Sequence, residues 1–405
     1  MDILFLSQWY APEPDGRVSA LAEDLAERGH NVMVITGFPN YPYGKIYSEY
    51  KLKWRQWENI NNVKILRLPL FPNHSYSLIK RGFNYFSFFC SLFFLAPWFI
   101  KKPDIIWSYT PFIALPTIWI SKIFKTNYVM EITDIWPDTI IATGMIKKGI
   151  ILNVLNIFAK LAYKHATAIT VQNAGFKPCL IERGVNPEKI FIVENWADES
   201  LYHPVIYNME LAQKYGMNDM FNVMFAGNMG LAQGLDNIIL AAKLCSKNKK
   251  IQFVFVGDGV CLDRIKNMVE KEGLNNVLFV RHKPESEMAS FYSIADALLV
   301  SLIDNPLFEI TLPAKTQSYL ACGRPIIIAK KGADAKLLSN YGCALNCEPG
   351  NPEALASCVL QIFNMKPEER TLMGENSFKL YMQKYKKDKL VGKMEEALIN
   401  STNKI

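Results

Sequence analysis

Residues 196–208 read Trp196-Ala197-Asp198-Glu199-Ser200-Leu201-Tyr202-His203-Pro204-Val205-Ile206-Tyr207-Asn208, and the organisation of the chain turns on them. The stretch is polar, holds a proline and has no periodicity, which marks a linker between domains. On either side, short apolar runs alternate with longer segments of helical period, the pattern of parallel βαβ units. Before the linker, strands are expected at 3–7, 32–36, 63–68, 105–109, 128–133, 168–172 and 190–194; after it, at 223–226, 253–256, 277–280, 297–302, 325–329 and 344–347. Their lack of polar alternation reads as burial on both faces. The expected fold class is α/β, with two Rossmann-like, doubly wound domains facing across a cleft, because such sheets bind ligands at the carboxyl ends of their strands. The bounds are 1–200, 201–384 and a C-terminal helical tail at 385–405, whose Lys-rich approach after Met382 reads as a solvated helix. The first helix is the clearest: Val18, Leu21, Ala22 and Leu25 form an apolar stripe and Gly29 supplies the cap.

The composition of the 405 residues, 50% apolar and 20% charged, excludes a wholly disordered chain. Forty-five basic side chains against 38 acidic give a net charge of +7, but the charge is not spread evenly. Residues 45–102 hold ten Lys or Arg and two Glu, a local +8, so the remainder is close to neutral. With no recognition motif elsewhere, nucleic acid is not an expected partner. Eight cysteines without a CxxC pair point to reduced thiols in the cytoplasm. Cys343 and Cys347 have no His nearby to complete a zinc site, so no metal is expected. The opening Met-Asp-Ile-Leu-Phe-Leu-Ser lacks the basic region of a signal peptide and reads as a first strand.

Residues 83–100, FNYFSFFCSLFFLAPWFI, are 18 residues without a charge, flanked by Lys80-Arg81 and Lys101-Lys102. Their length meets the threshold for a spanning helix. Pro97, Asn84 and several hydroxyl groups count against spanning. A helix lying in the interface, its basic flanks on anionic headgroups, fits the same residues. A third reading is a helix covering one face of a sheet. The interfacial reading is preferred, with Phe88, Phe89, Leu92 and Phe93 as the lipid-facing residues and an anionic membrane surface as partner. The protein would then be peripheral on the inner face of the cell membrane.

Four segments carry binding chemistry. The first strand runs into Gln8-Trp9-Tyr10-Ala11-Pro12-Glu13-Pro14-Asp15-Gly16, which lacks the GxGxxG of a dinucleotide enzyme. Gly16, just before a helix, still offers bare amides to an anion, although a plain turn serves as well. The second domain opens with Phe225-Ala226-Gly227-Asn228-Met229-Gly230-Leu231-Ala232-Gln233-Gly234, and its next unit ends in Val256-Gly257-Asp258-Gly259. Two glycine turns on adjacent strand ends let a bulky ligand lie against backbone. Later, Glu309 precedes Leu312-Pro313-Ala314-Lys315 at a helix start. A lysine there opposes the helix dipole, which suits a ligand that brings negative charge.

At these residues the chain resembles glycosyltransferase family 4, retaining enzymes of the GT-B fold. Gly227 to Gly234, Val256 to Gly259 and Glu309 to Pro325 resemble its donor-binding signatures. Thr36 to Pro42 and Asp134 to Asp138 resemble a narrower, WbuB-like branch: N-acetylfucosaminyl transferases of O-antigen, capsule and colanic-acid assembly. The resemblance implies a nucleotide sugar bound mainly by the second domain and an acceptor bound mainly by the first. Glu309 would contact the ribose, Lys315 with the backbone of Leu312, Pro313 and Ala314 the diphosphate, Gly16 the donor phosphate, and His282 the base. Gly227, Asn228, Gly230, Gln233, Gly257 and Asp258 would complete the donor site. No cofactor is implied, the UDP-sugar being a substrate, and no metal, because amide dipoles and cationic groups stabilise the leaving diphosphate.

This chain departs from the family where Asn228 and Gln233 replace an Arg and a Lys, where Ser318 replaces a Glu, and where Asp134 stands for a His that contacts the donor sugar. A six-deoxy donor such as fucosamine would fit the last change. The implied reaction moves N-acetyl-L-fucosamine from its UDP form, with retention, onto a polyprenyl-diphosphate-linked glycan. Asp134 and Asp138 are candidates to position the acceptor or stabilise positive charge, with Asp15 of the first loop beside them; Asp138 could equally be a helix N-cap. The alternatives are a UDP-sugar epimerase of the same architecture and a non-catalytic sugar-nucleotide-binding subunit.

Overall fold

Runs such as Ile3-Leu4-Phe5-Leu6 are almost wholly shielded from solvent, so they lie in a sheet covered on both faces. The computed structural model describes residues 1–14, 16–74, 78–142 and 149–402. It divides into two compact units, Met1–Val193 with Val391–Ile405, and Glu194–Leu390.

In the first unit the strands are β1 (Asp2–Leu6), β2 (Asn31–Gly37), β3 (Gln56–Ile60), β4 (Val63–Leu68), β5 (Ile105–Tyr109), β6 (Tyr128–Ile132), β7 (Ala168–Val171) and β8 (Ile190–Ile192). They pair in the order β3-β4-β2-β1-β5-β6-β7-β8, parallel except for β3. The helices that shape the site are α1 (Gly16–Glu27), α2 (Leu78–Phe94), α3 (Ala114–Phe124), α4 (Asp138–Ala142) and α5 (Ile150–His165). The α1 stripe is buried as expected, and Gly29 takes φ +89°.

In the second unit β9 (Phe221–Ala226), β10 (Ile251–Val256), β11 (Val277–Val280), β12 (Ala297–Ser301), β13 (Ile326–Ala329) and β14 (Ala344–Cys347) pair in parallel in the order β11-β10-β9-β12-β13-β14. Successive side chains alternate between two cores: Val254 and Val256 pack on one face, Phe253 and Phe255 on the other. Chain order reverses between β1 and β5 in one sheet and between β9 and β12 in the other, and both doubly wound switch points open at the carboxyl ends of the strands.

Four expectations are corrected. Strand β3 was not anticipated, because it is a half-exposed edge strand whose Gln, Glu and Asn residues hide an alternation. It pairs antiparallel with β4 across Asn61-Asn62, both at positive φ, the turn that a two-residue hairpin requires. The linker at 196–208 is irregular as expected, but Trp196 and Ala197 are buried, and Tyr381 donates to the Ala197 carbonyl at 3.0 Å. The C-terminal helix Lys387–Thr402 is not solvated: Leu390, Val391, Met394, Ala397 and Leu398 are buried, and Glu395 bonds Arg28 and His30 at 2.9 and 2.8 Å.

The fourth correction concerns α2. Phe88 and Leu92, expected to face lipid, are fully buried, on the same face as Asn84 and Ser91. Asn84 accepts from Gln8 Nε2 at 2.6 Å and donates to the Asn40 side chain and the Phe71 carbonyl, so its polar groups fix which side of the helix faces inward. Phe83, Phe86, Phe94 and Trp98 point outward, at 59–83% exposure. Among the described residues no helix is long and apolar enough to cross a membrane, so the spanning reading falls.

Candidate active site

In the first unit a cavity of about 410 Å³ opens at the switch point. Gln8 and Trp9 follow β1, Tyr109 and Thr110 close β5, Thr133 and Asp134 follow β6, and Arg81 and Tyr85 come from α2. Its walls are mainly aromatic: Trp9, Tyr41, Tyr85, Phe112 and Trp136. Two polar atoms there, Trp9 Nε1 and His74 Nε2, are buried with no hydrogen-bond partner. Flat rings with a few converging polar groups suit a sugar, whose C–H faces stack on rings while its hydroxyls bond the polar atoms.

Asp134 is the carboxyl group in this cavity. Burial pushes it above the ordinary carboxylate range, against a hydrogen bond from Thr133. Burial and the neighbouring Arg81 hold the His74 imidazole below its usual range, so it stays neutral at pH 7. Asp138 lies outside the cavity lining, in the first turn of α4, where it pairs with Arg183, whose other nitrogen donates to the Trp136 carbonyl at 2.9 Å. The pair braces the Trp136-Pro137 turn. Asp15 falls outside the described residues, whereas Gly16 starts α1 with open space where a side chain would be.

The loops and strand ends around the cavity are held by groups that were not singled out from the sequence. Glu13 is buried, and its Oε1 accepts the amides of Asn40 and Tyr41 at 2.8 Å each, fixing the Pro39-to-Pro42 loop against the first strand's loop. Burial raises its carboxyl to about 7. Glu131, next to the last residue of β6, is fully buried and pairs with Arg17 at 2.9 Å; Thr170 and Gln172 also bond it, and Arg17 reaches the Val193 carbonyl. A charge inside an apolar strand is a signal in itself, because an unpaired buried carboxylate is not tolerated.

The second unit gathers most of the donor residues. Gly227 (φ +117°) follows β9 and Gly257 (φ +141°) follows β10, and a Cβ on Gly257 would collide with the Gly227 carbonyl. Backbone bonds from Gly227 to Val256 and from Met229 to Asp258, at 2.9 and 2.7 Å, stitch the two turns together. Lys315, opening the helix Lys315–Ala321, brings Nζ to 3.6 Å from the Cβ position of Gly227, 2.9 Å from Gln233 Oε1 and 3.7 Å from the centre of the Phe225 ring. Burial lowers its amine to about 7. Gln233 therefore holds the lysine rather than leaving an empty place where a cation is missing.

Leu312 is buried; Pro313 and Ala314 lead into the lysine. Lys330 donates to the Glu309 carbonyl at 3.3 Å, and Gly332 packs so closely on that carbonyl that only glycine fits. Asn228, Asp258 and His282 are exposed, and Gly230 is half-buried beside Asn228.

The Glycosyl transferases group 1 family matches residues 210–380, and the Glycosyl transferase 4-like domain matches residues 15–196. The chain is similar to WcaI of Escherichia coli (strain K12), named for colanic acid biosynthesis, at 26% identity over 93% of this chain and 95% of that one. It is also similar to WbjE of Pseudomonas aeruginosa, named as a glycosyltransferase, at 26% identity over 68% and 71%. Among solved structures, Anabaena HepE in complex with UDP and glucose superposes with a TM-score of 0.73 at 16% identity, covering 98% of this chain and 99% of that one. Sucrose-phosphate synthase from Thermosynechococcus elongatus gives a TM-score of 0.77 at 16% identity, covering 98% of both. The fold is that of the two-domain GT-B proteins.

Proposed function

We propose that this glycosyltransferase, whose first half matches the 4-like domain and whose second half matches group 1, moves a sugar from a UDP donor onto a polyprenyl-diphosphate-linked glycan of a bacterial surface polysaccharide. The donor reading rests on Lys315 and the paired glycine turns, and agrees with the UDP held by HepE. Glu309 binds the ribose, and Lys315 neutralises the diphosphate as it leaves, without a metal. Transfer proceeds with retention, the leaving phosphate helping to take the acceptor proton while Asp134 orients the acceptor or stabilises the charged sugar. N-acetyl-L-fucosamine is the proposed sugar, as in the WbuB-like branch, because Asp134 replaces a hydroxyl-contacting histidine.

The observation that carries the acceptor reading is the double role of α2. Its Arg81 and Tyr85 line the aromatic cavity, while Phe83, Phe86 and Phe94 turn outward. Trp98 after α2, Trp119 and Ile123 of α3 and Ile157 of α5 extend this exposed apolar set, with Lys101, Lys102 and Lys122 nearby in sequence. A basic, aromatic face suits the cytoplasmic leaflet, where the reactive end of a polyprenyl-linked acceptor lies. The experiment is a screen of UDP-sugars against a lipid-linked acceptor, with the product's anomeric configuration read by NMR. A retained configuration with UDP-N-acetyl-L-fucosamine is expected. Donor turnover without acceptor would favour the epimerase, and donor binding without turnover the non-catalytic subunit.

A further inference from the structure

Beside the aromatic cavity lies a second, smaller one of about 160 Å³, lined by α2, α5 and the loops after β5 and β6. No charged residue lines it: Gly82, Phe86 and Phe89 come from α2, and Val154, Leu155 and Phe158 from α5. Phe86 and Val154 are exposed at 61% and 43%, so the slot reaches the outward apolar face. Tyr85, Phe112 and Trp136 line both this slot and the larger cavity. Tyr85 stacks on Phe112 with centroids 5.0 Å apart, and Phe112 meets Trp136 edge-on at 4.9 Å, so the partition is one continuous aromatic block.

The two compartments divide by chemistry at consecutive residues of α2. Arg81 lines the aromatic cavity with its polar groups and Gly82 the apolar slot. A ligand that fits both has an anionic, sugar-bearing end joined directly to a hydrocarbon. We propose that the slot seats the first isoprene unit of the lipid-linked acceptor, while Arg81 meets its diphosphate and the aromatic cavity takes its sugar. An apolar cavity of about 150 Å³ holds a six-carbon ring, so a slot of this size takes about one five-carbon unit. The remaining chain then runs over Phe86 and Val154 toward the lipid. This inference rests on the reading of the chain as a transferase acting on polyprenyl-diphosphate acceptors.

The test is binding of farnesyl diphosphate, n-dodecyl diphosphate and methyl diphosphate to the full-length protein by calorimetry. Farnesyl diphosphate is expected to bind at least tenfold more tightly than either of the others. A Cβ added at Gly82 meets nothing within 4 Å, so Gly82→Leu starts an apolar side chain in open space beside the slot and suits the helix better than glycine. It should raise the Kd for farnesyl diphosphate about tenfold and so abolish the preference, whereas Gly82→Ala should keep most of it. Equal affinity for farnesyl and methyl diphosphate overturns the proposal, as does a folded Gly82→Leu protein with the wild-type farnesyl preference. Equal affinity for farnesyl and dodecyl chains assigns the slot to bilayer acyl chains and also overturns it. Transfer to diphosphate-linked acceptors irrespective of tail would leave the functional reading intact while the slot fails; no transfer to any such acceptor would remove the reading itself.

Discussion

The Lys315 ammonium lies 3.7 Å from the centre of the Phe225 ring. The ring face and a single amide oxygen are poor substitutes for water, which is why burial lowers the amine to about 7. The folded chain thus binds this proton less tightly than the unfolded chain does, so the lysine makes stability rise with pH between about 7 and 10.5. A diphosphate reverses the preference by favouring the charged form. Donor affinity should fall as pH rises above about 7, by up to tenfold per unit, with proton uptake visible in calorimetry across buffers of different ionisation enthalpy. Lys315→Met should stabilise the ligand-free protein by about 0.5–2 kcal/mol in urea unfolding at pH 6, while lowering kcat/KM by about 10²–10³-fold.

Asp134 and Asp138 are four residues apart and should behave differently. Asp134→Asn, which keeps the shape of the cavity, is expected to lower kcat by about 10²–10⁴-fold at saturating donor and acceptor. Asp138→Asn loosens a half-exposed pair with Arg183, with a cost of about 1 kcal/mol or less in thermal unfolding. Full activity in Asp134→Asn would remove that residue from the reaction.

Glu13 makes the opposite contribution to Lys315. Its folded carboxyl, at about 7, holds its proton more tightly than the unfolded chain at 4.5. Its stabilising effect is therefore complete below about pH 4.5 and is lost as pH rises through about 7. Glu13→Gln preserves an acceptor oxygen for the Asn40 and Tyr41 amides and should flatten this part of the stability profile, measured by urea unfolding at half-unit pH steps.

Membrane docking is tested by flotation with anionic liposomes at low salt. Phe86→Ser combined with Trp98→Ser should release the protein without changing its melting temperature by more than a few degrees. Phe88→Ser acts on the core instead and should cost about 3–5 kcal/mol, so it cannot serve as a docking probe.

That distinction marks where the sequence could be read and where it could not. Strands such as β4, β5 and β11 are legible to the residue, because an apolar run between turns has one use in a parallel sheet. In α2 the polar residues Asn84, Ser87 and Ser91 recur at helical spacing, which reads as an outward stripe, yet Asn84 and Ser91 are buried and all three bond the chain that α2 packs on, so hydrophobicity misleads about its phase. In the C-terminal helix, Leu390, Val391, Met394, Ala397 and Leu398 keep a helical period, but the lysines at 384, 386, 387 and 389 drew the reading toward solvent. The glycine turns and Lys315 were legible as a group because backbone conformation and close approach restrict residue choice. The aromatic cavity was not, since Trp9, Tyr41, Tyr85 and Trp136 are brought together by four separate loops and helices.

The return of residues 391–402 to the first unit sets an order on the chain's birth. Synthesis runs from the N-terminus, and domains generally fold as they emerge. Here the first unit leaves the ribosome with the seat for Val391, Met394 and Leu398 still open, and Arg28 and His30 have no Glu395 to meet. All of the second unit is translated before that seat is filled. The half of the protein made first is completed only after the second unit, and its apolar groove stays uncovered while Glu194–Leu390 is translated.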